Sequence, residues 1–224
     1  MLEIDTEEVT GLVTTFIRDY TANADVDSVV IGLSGGIDSA VTATLAAMAL
    51  GRENIHAIFM PELSTPIEDI EHVRLIADEL DIEYETIDIS PFIHSIRKTY
   101  PHEMDAVALG NIKSRLRMLL WYGYSNVTES LVCGCSNKTE LLIGYFTKYG
   151  DGGTDFLPIG DVYKTQVFQL ARHLDIPEPI IEKAPTAGLW KGQTDEEELG
   201  ISYEKLDHIL YGLERKWPVE KIAR

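Results

Sequence analysis

The residues best suited to chemistry lie in one stretch, Val29-Val30-Ile31-Gly32-Leu33-Ser34-Gly35-Gly36-Ile37-Asp38-Ser39. An apolar run stops at a Gly-Gly pair and resumes as a helical pattern from Ala40 to Leu50, which reads as strand, tight loop, helix. Amides left unpaired at the start of a helix point outward, and the helix dipole adds partial positive charge there, so the loop aims at an anion. Gly35 and Gly36 let ligand oxygens approach the main chain and tolerate positive φ, the geometry of an anion-holding nest. Ser34 and Ser39 add hydroxyl donors. Asp38 would repel a bound phosphate unless a divalent cation lay between them, so the stretch predicts a phosphate together with Mg2+. No Gly-Lys-Ser/Thr follows the glycines and no G-x-G-x-x-G is present, which excludes a Walker A loop and a dinucleotide fingerprint. The plainer alternative is a glycine-rich strand-to-helix turn in which Ser34 and Asp38 only cap the helix.

The elements that must position this loop can be read along the chain. An amphipathic helix spans about Asp5 to Asn23, with Val9, Leu12, Val13, Phe16, Ile17 and Tyr20 on one stripe, for core packing or a subunit contact. Ile55 to Met60 reads as a second strand, Pro66 to Leu80 as a helix, and Tyr84 to Ile89 as a third strand. A short helix from Pro91-Phe92 and a longer one from Ala106 to Tyr124 follow; Arg115 and Arg117 lie on the longer one, where a solvated face is the default for arginine. Leu131 to Cys135 is a fourth strand, Ser136 to Glu140 opens a helix, Lys148 to Asp155 is a charged glycine-rich loop, and Tyr163 to Leu174 is helical. Pro177 to Pro185 and Thr186 to Gln193 read as an extended connection of the kind that forms lids, and helices at about Asp195 to Leu199 and Tyr203 to Leu213 end the chain. Strands separated by helix-length segments imply right-handed βαβ units: an α/β, doubly wound, mostly parallel sheet with helices on both faces, binding its ligands at the carboxyl ends of the strands.

With 224 residues the chain suits a single domain with a full core, residues 1–224. The 19 Lys and Arg against 37 Asp and Glu give a net charge of −18, which disfavours nucleic acid and anionic membranes as partners. The acidic start, Met1 to Thr10, carries no apolar signal core, and no stretch approaches the length of a membrane span, so a cytoplasmic location is expected. Cys133 and Cys135 have neither disulfide-framework nor zinc spacing and read as reduced thiols.

The pattern Ser-Gly-Gly-x-Asp-Ser resembles the pyrophosphate loop of the ATP pyrophosphatases, which split ATP between its α and β phosphates. Taken with Met60-Pro61, Gly110 to Met118, Ser136 to Glu140, Gly144 to Asp151, Tyr163 to Val167 and Ala184 to Leu189, in that order and spacing, the chain resembles the ammonia-dependent NAD synthetases over almost its whole length. The resemblance implies a Rossmann-like fold of the adenine nucleotide alpha hydrolase type. It also implies the ATP-dependent amidation of deamido-NAD by ammonia through an acyl-adenylate, with NAD, AMP and pyrophosphate as products, by a homodimer. Within that likeness Asp38 and Glu140 are the Mg2+ carboxylates, and Lys164 contacts phosphate and shares the catalytic role with them. ATP would lie on Gly32, Leu33, Ser34, Gly35, Gly36, Ile37, Asp38, Ser39, Met60, Cys135, Lys164 and Thr186. Arg115, Lys148 and Asp155 would hold deamido-NAD, supplying the local cations that an acidic protein needs for a dinucleotide.

Two departures stand out. Cys135 occupies a position that is usually threonine; a packed strand thiol is favoured over a reactive one, because nothing basic is adjacent in sequence to lower its pKa. The family usually continues to a His-Lys pair near the C-terminus, whereas this sequence stops at Val219 to Arg224, so the family's extreme C-terminal segment is expected to be missing. No glutaminase or nitrilase-like segment precedes Val29, so free ammonia is the expected nitrogen donor. A tRNA-modifying relative would carry a basic face, which the charge opposes, and a binding module without turnover is the remaining alternative.

Overall fold

A computed structural model describes residues 2–186, 188–190 and 192–223; Ala187 and Lys191 of the expected lid, and the terminal Met1 and Arg224, lie outside the described residues. Four parallel strands, β1 (Val29–Leu33), β2 (Ile55–Phe59), β3 (Tyr84–Thr86) and β4 (Leu131–Cys133), form one sheet in the order β3-β2-β1-β4. The first three strands step outward in one direction and β4 returns to the other side of β1. The order therefore reverses between β1 and β4, and in an open α/β sheet the crevice at that reversal is where ligands collect.

Alternation along the strands sends side chains to two cores. Val29, Ile31, Leu33, Ala57 and Phe59 face one layer. It contains α1 (Thr6–Asn23), α2 (Ile37–Leu50), α3 (Ile67–Leu80), α7 (Lys164–His173) and α8 (Glu178–Glu182). Val30, Ile58 and Met60 face the other, made by α4 (Ser90–Thr99) and α5 (Ala106–Thr128). The sheet is covered on both faces, as its nearly continuous apolar strands require. α6 (Lys138–Ile143) follows β4, and α9 (Asp195–Leu199), α10 (Tyr203–Glu214) and α11 (Val219–Ile222) close the chain.

Several elements differ from the sequence reading, each for a physical reason. β3 is shorter than Tyr84 to Ile89, although the Ile87 and Ile89 amides still donate to the Phe59 and Pro61 carbonyls at 2.9 Å. β4 stops at Cys133 because the Gly134 amide turns to the Phe156 carbonyl, 2.9 Å away, and leaves β1. The connection after Pro177 contains α8, whose Ile180 and Ile181 are buried; the isolated Ile-Ile pair is too short for its periodicity to show. α11 follows α10 where the sequence was read as ending. The α1 stripe divides: Val13 and Ile17 enter the core with Thr10, Thr14 and Thr21, while Leu12, Phe16 and Tyr20 stay substantially exposed. The threonines fit a buried helical face because the hydroxyls of Thr14 and Thr21 donate to carbonyls in the preceding turn.

Gly32, inside β1, is required by the layer beneath it. A Cβ there would lie 2.4 Å from Cζ2 of Trp121, whose indole rests flat against the strand. Gly32→Ala is therefore expected to lower stability by about 1–3 kcal/mol through overpacking. A urea midpoint equal to that of the parent would show that Trp121 has room to move.

Candidate active site

The loop Ser34–Gly36 leaves the carboxyl end of β1 beside the crevice between β1 and β4. Gly35 adopts φ +79°, and a Cβ there would meet the Asp69 carbonyl oxygen at 2.7 Å, so the loop is pressed onto the start of α3. His72 of α3 holds the Gly35 carbonyl at 3.2 Å. Within the loop, the Gly36 amide donates to Ser34 Oγ, Ser39 Oγ donates to the Gly36 carbonyl, and the two serine hydroxyls are 3.1 Å apart. The serines thus shape the loop. Gly36 is the N-cap of α2 and no side chain caps it, which leaves the first-turn amides for an external anion. The reading in which Ser34 and Asp38 serve as caps is not what the loop does.

Three charged groups from three separate elements converge in front of this loop. Asp38, in the first turn of α2, accepts from Asn137 Nδ2 at 3.0 Å and pairs with Lys164 Nζ. Glu140 Oε1 lies 3.7 Å from the same nitrogen. Lys164, the first residue of α7, has a side chain only 2% exposed, against 20% for Asp38 and 16% for Glu140. Its ammonium also lies 5.3 Å from the centre of the Tyr203 ring. Burial pulls the Lys164 pKa down, but Asp38, Glu140 and Asp195 outweigh it, and the amine ends above the ordinary lysine value. Glu140 moves the opposite way for an acid: burial and the Asp38 charge push it up to about 8, against the pull of Lys164 and of the Asn137 amide.

Glu140 has a second task that is equally local. Asn137 and Glu140 form a capping box on α6, the Glu140 amide donating to Asn137 Oδ1 and the Asn137 amide to Glu140 Oε2, each at 3.1 Å. One carboxylate oxygen fixes the helix start and the other faces Lys164. Two hard oxygen donors aimed at one point suit a Mg2+ that takes its remaining ligands from phosphates and water. The observation behind this fit is the ammonium of Lys164 lying between them, a cation already drawn to that point.

The cluster opens into a cavity of about 410 Å3. Gly32, Leu33, Ser34, Gly36, Ile37, Asp38, Ser39, Met60, Cys135, Glu140, Lys164 and Thr186 all line it. Gly35 is turned back toward α3. Cys135 is buried beside the carboxylates; burial first, then Asp38 and Glu140, push its thiol up to about 12 against the pull of the Thr42 hydroxyl, so it remains a packed thiol. Cys133 is buried and free, and its thiol is raised well above the usual range by burial.

Arg115 and Lys148 meet at the exposed rim, where Arg115 Nε donates to the Lys148 carbonyl at 3.1 Å. Asp155 stands behind the wall. Its Oδ1 accepts from the Tyr122 hydroxyl at 3.0 Å and its Oδ2 from the Val132 amide at 2.7 Å, tying the loop after α6 to β4.

Sequence reasoning passed over several groups. Arg117, assigned to a solvated face, is drawn into the cavity wall, with Nε and Nη2 both donating to the Met60 carbonyl at 3.1 Å. Burial lowers its pKa, opposed by Glu62 and Asp151. Lys113, 5% exposed, pairs with Glu62 and donates to the Leu189 carbonyl at 2.8 Å, fastening the 183–194 segment over the cavity. Lys183 pairs with Asp69 at the other end of that segment. Asp195, also in the wall, accepts from the Tyr145 and Tyr203 hydroxyls. The available signal was that Lys113 and Arg117 flank Arg115 in one helical stretch with Gly110 and Asn111, too dense in function for a solvent face.

Fold and site together define an α/β protein of the adenine nucleotide alpha hydrolase type, with an anion loop and a carboxylate–lysine cluster at the reversal of strand order. The chain belongs to the NAD synthase family, whose model matches residues 9–224. It is 50% identical over 224 residues to the NH3-dependent NAD+ synthetase of Methanosarcina acetivorans, covering 99% of this chain and 88% of that protein. It is 50% identical over 210 residues to the enzyme of that name from Archaeoglobus fulgidus, covering 93% and 85%. Among solved structures, the NH3-dependent NAD synthetase from Campylobacter jejuni, in complex with nitrate, superposes with TM-score 0.82 at 35% identity over 99% of this chain and 91% of that one. The NMN synthetase from Francisella tularensis superposes with TM-score 0.89 at 37% identity over 94% and 87%.

The raised pKa of Glu140 has a measurable consequence. Between the ordinary value of 4.5 and about 8, the folded chain holds a proton that the unfolded chain has released, so this group's effect on stability is a loss as the pH rises through that window. Glu140→Gln is expected to flatten that part of the Tm–pH curve measured without divalent cation. Parallel curves for parent and variant would mean that Glu140 titrates as an ordinary carboxylate.

Proposed function

We propose that this chain joins ammonia to the nicotinate carboxylate of deamido-NAD, using ATP and releasing NAD, AMP and pyrophosphate. The reading is carried by one observation: Lys164 lies buried between Asp38 and Glu140 directly in front of the uncapped start of α2. In the first step the substrate carboxylate attacks the α-phosphorus, the bond to the β-phosphate oxygen breaks, and pyrophosphate leaves with the electron pair. The α2 amides and the Lys164 ammonium face the oxygens on which that charge develops, and preorganised donors of this kind supply much of such a barrier reduction. In the second step ammonia attacks the adenylated carbonyl, a proton is lost from nitrogen, and AMP departs.

Asp38 and Glu140 would hold Mg2+, which when bound supplies charge neutralisation to the departing pyrophosphate. Asn137 orients Asp38, and the capping box orients Glu140. Met60 and Thr186 belong to the ATP side of the cavity, while Arg115 and Lys148 take the dinucleotide phosphates at the rim. Asp155 would bind deamido-NAD through acceptor sites that its bonds to Tyr122 and Val132 leave over, since a carboxylate offers about four.

We also propose a homodimer in the cytoplasm. The exposed apolar residues of α5, Leu119 at 63% and Val127 at 84%, lie on the helix that carries Arg115 and are available to a second copy. No described helix is long and apolar enough to cross a membrane. Light scattering at micromolar concentration is expected to give twice the 25.1 kDa chain mass, and a monomer would refute the assignment.

Purified protein supplied with ATP, Mg2+, ammonium and deamido-NAD is expected to yield NAD and AMP. Nicotinate mononucleotide is offered in parallel, because of the likeness to the Francisella enzyme. Amidation of the mononucleotide alone, or ADP as product, would overturn the reading. Asp38→Asn is expected to reduce turnover by at least about 10²-fold with an unchanged circular dichroism spectrum. Activity near that of the parent would remove Asp38 from the site.

A further inference from the structure

Asp207, on α10, has no contact with the cavity and is fully buried at 0% exposure. Three donors converge on its carboxylate. Oδ1 accepts from the Thr139 hydroxyl at 2.5 Å, and Oδ2 accepts from both the amide and the hydroxyl of Thr165 at 2.8 Å each. Thr139 and Thr165 adjoin the two residues that matter most. Thr139 precedes Glu140 in the first turn of α6, and Thr165 follows Lys164 in the first turn of α7. Thr139 Oγ closes the circuit by accepting from the Lys164 amide at 2.9 Å. A single hydroxyl thus joins the backbone of Lys164 to the carboxylate of Asp207, and the same carboxylate grips the next residue of α7.

We infer that Asp207 is a positioning residue: by binding Thr139 and Thr165 at once, it sets the separation of Glu140 and Lys164 across the junction of α6 and α7. This inference rests on the proposed roles of those two residues. Asp207 reaches the reacting atoms only through others. An acceptor-only group suits the post, because the hydroxyl of Thr139 and both donors of Thr165 need acceptors, and an amide in its place would present a donor to one side. The rest of α10 is anchored to the same junction. The Tyr163 hydroxyl pairs with Glu214, and Lys138 bridges Glu214 and Asp161. α10 can therefore hold its place when the Asp207 charge is removed, so the effect of that removal is read at the site.

A double-mutant cycle with the full chain tests this. Asp207→Asn is expected to lower kcat at least about fivefold, with KM for ATP and for deamido-NAD changed by less than about threefold, because displacement of a catalytic group costs rate more than ground-state binding. Lys164→Arg, which keeps the charge and shifts its placement, is expected to lower kcat by more. The double variant is expected to be no worse than Lys164→Arg alone to within about twofold, since Asp207 acts through the placement that Arg has already destroyed. A smaller kcat loss in folded Asp207→Asn, or losses that multiply in the double variant, would overturn the inference. If Asp207→Asn does not fold, Thr165→Val removes one of the three donors and is held to the same non-additivity with Lys164→Arg. Full activity of Lys164→Arg would instead bring down the proposed role of Lys164, an outcome distinct from the failure of Asp207 alone.

Discussion

The interaction on which the site depends is the enclosure of one ammonium by two carboxylates. An isolated lysine buried as deeply as Lys164 would lose its proton, since desolvation of the charge costs several kcal/mol. It stays protonated because Asp38 and Glu140 stand against it. The converse holds for the acids: Glu140 would be still harder to ionise without the ammonium. No member of the trio is stable in its charged form alone, so the fold must bring the ends of β1 and β4 and the start of α7 to one point before any of them is useful. This explains why so much neutral scaffolding, namely Asn137 on Asp38, the capping box on Glu140 and Thr139 on the Lys164 amide, is devoted to three side chains.

The sheet order supplies the place. Because β2 and β3 lie on one side of β1 and β4 on the other, the loops after β1 and β4 diverge, and a crevice opens between them that no crossover helix fills. The glycine loop forms one wall, pinned from outside by Asp69 and His72. Asn137 and Glu140 form the other. α7 crosses beneath α2 in the same layer and delivers Lys164 from below. A site built at such a junction has its charges on three rigid elements and its adaptable parts, the 183–194 segment with Thr186, on the open side, as sequential binding of two large nucleotides demands.

Much of this was legible in the chain because it is local. The glycine loop, its serines and Asp38 form a continuous stretch in a strand-to-helix context, and the alternation of strands and helices dictated a parallel sheet covered on both faces. What could not be read is tertiary in origin. Arg117 is a surface-type residue at helical spacing, and only the approach of Met60 from β2 turns it inward. Leu12 and Phe16 belong to the same periodic stripe as Val13 and Ile17, and which of them is covered depends on where α2 and α7 lie. Asp207 has no motif, because its significance comes from threonines 68 and 42 residues away. The role of Asp155 differs again: the position was visible, but its bonds to Tyr122 and Val132 depend on pairing between β4 and a distant loop.

A chain of net charge −18 that binds two polyanions has to separate its global field from its local one. The separation follows from screening. At physiological ionic strength a surface charge is felt over about 8 Å, so acidic residues on the far faces of α1, α3 and α9 contribute little at the cavity. Inside it, the lower dielectric lengthens the reach of the few cations present. Lys164 and Lys183 are each tethered to an aspartate, and Arg117 is held by a backbone carbonyl. A tethered cation adds less net attraction than a free one, but it is fixed in advance, so a phosphate that displaces or shares its partner meets a donor already in place. Affinity in such a site derives from preorganisation more than from total charge, which is why acidity elsewhere on the surface is compatible with nucleotide chemistry here.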